Sequence, residues 1–171
     1  MLFKIRCLVP IRLICARDKR HGIGFKGRIP WRCPKDMQHF RTVTTHTINS
    51  SKQNAVLMGR KTWEILHGRP LQGRLNVCVS STPQAIATHA SVAEAIAALN
   101  QDPSVEAIFV VGGVHIYREV LETQVVETIY VTVIHYEFPT DRSAKFIGHY
   151  CVNRSIEWIK GTADFDIFKY T

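Results

Sequence analysis

Four short, nearly uninterrupted apolar runs constrain this chain more than any other feature: Ile11 to Ala16, Ala55 to Met58, Asn76 to Val79 and Ala107 to Val111. Each is bounded by Gly, Ser, Pro or charged residues, and none alternates apolar with polar as a half-solvated strand does. Runs of this kind suit strands covered on both faces, as in a parallel sheet. Helical segments are predicted between them: Pro34 to Thr44, Lys61 to Leu66, Val92 to Leu99 behind the capping box of Ser91 and Glu94, and His115 to Leu121. Strand and helix in alternation argue for an α/β fold. Thr128 to Tyr136 and Phe165 to Tyr170 read as strands without a clear helix between them, which predicts a hairpin or antiparallel edge.

The 171 residues, 46% hydrophobic and 21% charged, can bury one substantial core, so a single domain spanning 1–171 is expected. No stretch approaches 18 uninterrupted apolar residues, which argues against a membrane span and for a soluble protein. The formal charge of +8 is spread along the chain instead of forming a basic run, so steering of small polyanions explains it as well as nucleic acid does. Five cysteines, Cys7, Cys15, Cys33, Cys78 and Cys151, stand at wide spacings with no C-x-x-C pair. They read as reduced thiols of a cytoplasmic protein, and no metal site is expected. The first 17 residues carry Lys4, Arg6, Arg12 and Arg17 without an acid, a pattern that organelle targeting would also fit. Pro10 and the β-branched content favour a strand there, with Phe3 to Val9 competing with Ile11 to Ala16. Thr44 to Gln53 reads as a polar surface loop.

Asp36 is the most informative single residue. Pro34 can open a helix, which places Asp36 in the first turn. At 100° per residue Asp36, Phe40 and Val43 share a face flanked by Met37, while Lys35, Gln38, Arg41 and Thr42 take the opposite side. An acid in a first turn ordinarily complements the helix dipole and faces solvent. On an apolar stripe it needs a donor-rich partner, and two parallel N–H groups would match its two oxygens.

Gly22, Gly24 and Gly27 satisfy G-x-G-x-x-G, but Arg28, Ile29 and Pro30 follow where that fingerprint requires a helix, so a flexible loop that could close over a ligand is expected. Gly59, Arg60, Lys61 and Thr62 follow a strand and begin a helix, as do Gly112 and Gly113 after Val110 and Val111. Two anion sites at the carboxyl ends of strands point to one extended phosphate-bearing cofactor. Arg74 could clamp a carboxylate bidentately or be an ordinary surface arginine, and the residues around it do not decide.

In order, Gly22-Ile23-Gly24, Ile29-Pro30-Trp31, Asp36, Phe40, Met58-Gly59-Arg60-Lys61-Thr62-Trp63, Arg69-Pro70-Leu71, Gly73-Arg74, Ser80-Ser81, Val111-Gly112-Gly113 and Tyr117 resemble dihydrofolate reductase. The match runs over roughly residues 11 to 141. The separation of Ala16 from Gly24 is the family's, which selects Ile11 to Ala16 as the first strand. The resemblance implies one α/β domain with a mostly parallel, twisted sheet of about eight strands, an antiparallel C-terminal edge and about four flanking helices. It also implies reduction of dihydrofolate by NADPH, with hydride delivered to C6 and a proton to N5, in a protein that antifolates inhibit and that needs no nucleic acid or membrane partner and is a monomer.

The catalytic set implied is Asp36, Trp31 and Thr132, with Asp36 binding the 2-amino and N3–H edge of the pterin, Thr132 supporting it and Trp31 holding an ordered water. Cys15, Ala16, Met37, Phe40, Leu66, Arg69, Leu71 and Val111 would line the substrate pocket, Arg74 would take the α-carboxylate of the glutamate tail, and Tyr117 would approach the nicotinamide. Ala16, Ile23, Gly24, Gly59, Arg60, Lys61, Thr62, Ser80, Ser81, Val111, Gly112, Gly113, Val114, His115, Ile116 and Tyr117 would hold the cofactor, Arg60 nearest the 2′-phosphate. The family also carries a cis peptide between the paired glycines. His115 departs from a frequent arginine, and Asp141 is followed by an unusually long Arg142-Ser143-Ala144-Lys145-Phe146. Two other readings are a reductase of a ribosylated pyrimidine, which would not need Trp31 with Asp36 or Arg74, and a basic nucleic-acid-binding protein.

Overall fold

Ala55, Val56, Leu57 and Met58 have no exposed surface at all, so the second apolar run is covered on both faces. The computed structural model describes residues 8–171. Along them run β1 (Ile11–Arg17), β2 (Gly22–Gly24), α1 (Pro34–Thr45), β3 (Gln53–Gly59) and α2 (Arg60–Ile65). Then come β4 (Leu75–Val79), β5 (Ala87–His89), α3 (Val92–Gln101), β6 (Val105–Gly112) and α4 (Val114–Thr123). The last elements are β7 (Val126–Ile134), β8 (Arg142–Ser143), α5 (Ile147–Cys151), β9 (Ile156–Gly161) and β10 (Phe165–Tyr170).

Eight strands form one sheet in the order β5-β4-β3-β6-β1-β7-β10-β9. From β5 to β7 neighbours are parallel; β10 and β9 add an antiparallel edge. The mostly parallel α/β sheet expected from the sequence is therefore present. The chain leaves β1 through α1, returns as β3, and later inserts β6 between them, so the carboxyl ends of β1, β3 and β6 lie side by side where connections diverge. Crevices form at such switch points.

Side-chain alternation splits the core. Leu13, Cys15, Leu57 and Val110 pack toward α3 and α4, while Ile14, Val56, Met58 and Phe109 pack under α1 and α2. A third cluster, Ile134, Phe165 and Ile167, gathers Trp31 and Phe138 at the antiparallel edge. Full burial of each large apolar side chain contributes about 1.5–3 kcal/mol, which anchors β7 and β10 beneath the edge strand β9.

Three expectations need correction. A fifth helix, α5, and a strand, β9, lie between the two final strands, where the sequence showed no clear element. Gly22 to Gly24 is not free loop: it forms β2, which pairs with β8 in the unusual stretch after Asp141. The polar loop starts later than Thr44, because α1 continues through Thr45 and Thr44 is fully buried. Its hydroxyl donates to the Phe40 carbonyl at 2.7 Å. The competing strand Phe3 to Val9, with Cys7, falls mostly outside the described residues.

Candidate active site

Pro34 starts α1 without needing the amide it lacks, and no side chain caps the helix at Cys33. The first turn then carries Asp36 inward. Asp36 is 8% exposed, and Thr132 donates its hydroxyl to Asp36 Oδ1 at 2.6 Å. Thr132 sits on β7 directly beside Ala16 of β1, so the acid overhangs the carboxyl end of the central strand. Burial raises the Asp36 carboxyl above the usual carboxylate range; the Thr132 hydrogen bond and the Lys160 charge oppose that rise. Asp36 Oδ2 has no hydrogen-bond partner among the described residues. A buried carboxylate with only one oxygen paired is competent to grip a ligand offering N–H groups.

The rest of the α1 face agrees in part with its periodicity. Phe40 and Val43 pack on the α1 side of the core, and Lys35, Gln38, Arg41 and Thr42 are exposed. Met37, however, is 52% exposed, because it lies at the margin of the stripe. His39 is buried instead, edge-on to Tyr130 at 6.2 Å, and burial pushes its imidazole down to about 4. Its Nε2 is buried without a hydrogen-bond partner.

Arg74 is 9% exposed, not the surface arginine its sequence context allowed. Its Nη1 donates to Thr44 Oγ1 at 2.8 Å and its Nε to the Gln72 carbonyl at 3.1 Å, while its guanidinium lies 5.7 Å from the Phe40 ring centroid. No carboxylate pairs with it among the described residues, and desolvation followed by Arg41 lowers its proton affinity. A desolvated cation without an anion is a ready partner for a ligand carboxylate. Leu66 and Leu71 pack nearby in the same core cluster as Phe40, whereas Arg69 is exposed.

The paired glycines close β6 and open α4. Gly112 has φ +128°, and the Gly112–Gly113 peptide is cis. A side chain at Gly112 would come within 3.2 Å of Thr62 Oγ1 and 3.5 Å of the Tyr117 hydroxyl, and one at Gly59 within 3.1 Å of Ile116. Gly59, Thr62, Gly112, Gly113, Ile116 and Tyr117 are thus one packed constellation at the ends of β3 and β6. Neither Gly59 nor Gly113 offers a side-chain cap, leaving backbone N–H groups available at both helix starts. Tyr117, buried, donates to the Ile14 carbonyl at 2.8 Å and so ties α4 to β1. Arg60 pairs with Glu64 on the exposed side of α2, beside exposed Lys61. Ser80 and Ser81 follow β4, with Ser80 near Thr82. His115 and Val114 begin α4 at the surface side.

Cys15 lies on the α4 side of the sheet, opposite Asp36, and burial pushes its thiol up to about 12. Any contact it makes with a ligand beside Asp36 would therefore come from its backbone. Trp31 packs on Phe138 with ring centroids 5.5 Å apart. Ile23 and Gly24 lie in β2, and the entry to the turn beyond them is pinned twice by one residue: Asp141 N–H donates to the Gly24 carbonyl at 2.9 Å, and Lys26 N–H to Asp141 Oδ2 at 3.0 Å.

Sequence reasoning missed Asp18. Fully buried, its Oδ1 accepts from the backbone N–H of Gly22 at 2.7 Å and of Arg20 at 2.9 Å, and its Oδ2 from Phe138 N–H at 3.1 Å. It fastens the turn after β1 to the segment carrying Phe138. The only sequence signal was an acid just past a strand, which is common to ordinary turns.

Taken together, the sheet order and these residues define an α/β protein whose candidate ligand site lies across the carboxyl ends of its central parallel strands. A family model for dihydrofolate reductase matches residues 10–155. A dihydrofolate reductase of Candida albicans is 37% identical over 134 residues, covering 74% of this chain and 69% of that protein. One from Heliothis virescens is 34% identical over 143 residues, covering 78% and 77%. A bifunctional dihydrofolate reductase-thymidylate synthase of Daucus carota is 38% identical over 142 residues, covering 76% of this chain but 27% of its own length. The chain spans about a quarter of such bifunctional relatives. It belongs to the dihydrofolate reductase family.

Proposed function

We propose that this chain reduces dihydrofolate to tetrahydrofolate with NADPH. The observation that carries the reading is Asp36: a buried carboxylate with one oxygen held by Thr132 and the other open. The pterin edge presents a 2-amino group and an N3–H side by side, which match two carboxylate oxygens.

Two features support an NADPH site. Side chains at Gly59 and Gly112 would crowd Ile116 and Thr62, so the backbone at the two helix starts stays bare, and a pyrophosphate could approach its N–H groups there. Arg60 and Lys61 supply cations for a 2′-phosphate, which favours NADPH over NADH. When bound, NADPH supplies the hydride. The protein's part is positioning and electrostatics. Thr132 holds Asp36 in place; Asp36 anchors the pterin and favours protonation at N5; Arg74, kept in place by Thr44 and Gln72, takes the tail carboxylate. Trp31, braced on Phe138, would help hold the water that delivers the proton. The hairpin beyond β2, pinned by Asp141, can cover the reacting centre and exclude water. Cys15, Cys33, Cys78 and Cys151 are all free thiols, which supports a reducing compartment such as the cytoplasm.

Incubation with dihydrofolate and 4-deuterated NADPH tests the reaction itself. Deuterium at C6 of tetrahydrofolate is the expected NMR result; absence of labelled product with a folded protein that binds neither ligand would overturn the reading.

A further inference from the structure

One cross-strand row links the sheet edge to the candidate acid. Ala16 of β1 stands opposite Thr132 of β7, Thr132 opposite Ile167 of β10, and Ile167 opposite Lys160 of β9. Residues paired in this way point to the same face of a sheet. Thr132 points at Asp36, so Lys160 rises on the α1 side too, two strand spacings or about 10 Å along the row. Ile167, with no exposed surface, gives the lysine stem an apolar bed, and it belongs to the cluster against which Trp31 and Cys33, just ahead of α1, are packed.

Resting on the assignment of Asp36 above, we propose that Lys160 is a positioning residue for the reaction: its ammonium is the counter-charge that keeps the Asp36 carboxylate ionised in its buried setting. The same charge bears, as a minor contribution beside burial, on two groups one helical turn apart. It opposes the burial-driven rise at Asp36 and adds to the burial-driven fall at His39. The other titratable groups near the acid, on its own face or across the sheet, carry no compensating charge at neutral pH. Cys15 from β1 and Tyr117 from α4 are held protonated by burial, His39 from α1 is held neutral, and Thr132 from β7 is uncharged. Lys35 on α1 is exposed on the opposite face, and Arg74 and Arg41 lie at the other end of the helix. Among the described residues Lys160 has no ion-pair partner of its own.

The sign follows from the reaction. Hydride transfer requires a proton at N5, so its rate falls as pH rises past the midpoint of the Asp36–substrate site. A nearby cation lowers that midpoint. Removing it raises the proton affinity of carboxylate and N5 alike, and the fall moves to higher pH.

Single-turnover rates with deuterated NADPH, measured from acid to alkaline pH, test this in wild type, Lys160→Met, Lys160→Gln, Lys160→Arg and Asp36→Asn. Methionine keeps the apolar stem and drops the charge. The expected result is a rate for both neutral variants about two- to fifteen-fold above wild type on the alkaline limb, the span for a unit charge on the order of 10 Å away between bulk-water and surface screening. Arginine should restore the wild-type profile, and added salt should shrink the difference. Superimposable profiles for wild type, methionine and glutamine variants, with Asp36→Asn crippled, would overturn the role of Lys160 alone. A fully active Asp36→Asn variant would overturn the assignment of Asp36 and this inference with it.

Discussion

Arg74 and Thr44, thirty positions apart, are joined in the protein interior by a 2.8 Å hydrogen bond from guanidinium Nη1 to hydroxyl Oγ1. Thr44 in turn donates to the Phe40 carbonyl, so the end of α1 aims a desolvated cation that has no carboxylate partner of its own among the described residues. Replacing Arg74 by Leu should raise KM for dihydrofolate by about 10- to 100-fold, the loss of a charge-assisted pair, and change KM for NADPH little. Thr44→Val should give a smaller effect in the same direction. Steady-state kinetics check both; equal KM values for Arg74→Leu and wild type would refute the tail-carboxylate role.

Asp36 should trade stability against activity. Its carboxyl is raised by burial, so the native state holds this proton more tightly than the unfolded chain does. The acid therefore costs stability as pH rises through its folded-state value. Asparagine keeps an acceptor for the Thr132 hydroxyl and removes the charge. Unliganded Asp36→Asn should be at least as stable as wild type at neutral pH, by about 1 kcal/mol or more, with the advantage shrinking under acid conditions. Thermal denaturation across pH decides this; a variant destabilised at neutral pH contradicts it.

His39 predicts a separate pH dependence. Burial holds its imidazole neutral down to about 4, against an ordinary value of 6.5, so between those limits the unfolded chain takes up a proton that the native state refuses. Stability should fall as pH drops through this window, and His39→Phe should flatten the slope. Urea denaturation at several pH values measures it. Parallel slopes in the two proteins would show that His39 titrates normally.

Gly112 tolerates no side chain. At φ +128° an L-residue is strained, and its Cβ would crowd Thr62 Oγ1 at 3.2 Å. Gly112→Ala should lose more than about 1 kcal/mol of stability and weaken NADPH binding more than dihydrofolate binding. Isothermal titration with each ligand separates the two; unchanged NADPH affinity in a folded variant would contradict the cradle.

What was legible in the sequence follows the physics of burial. β3 and β6, shielded on both faces, announce themselves as apolar runs, and the periodicity of α1 places Asp36 inward. β9 does not: as an edge strand it leaves Ile156 and Trp158 exposed beside Glu157, so neither run nor alternation marks it. α5, five residues long, is too short for a helical period to appear. The helical angle puts Met37 at the flank of the apolar stripe, and the exposure of a position at that margin is decided by how far the sheet extends beneath it. Asp18 depends on a partner 120 residues away, and Lys160 is brought to the face of Asp36 only by the registers of β9 on β10 and of β10 on β7, which no local pattern encodes.

The most direct measurement is NADPH oxidation by the purified chain with dihydrofolate as acceptor, followed in parallel for wild type and Asp36→Asn. The account predicts dihydrofolate-dependent oxidation by wild type and a loss of about 100-fold or more in the variant, with NADPH binding preserved. No oxidation by folded, NADPH-binding wild type, or equal turnover in both proteins, would contradict it.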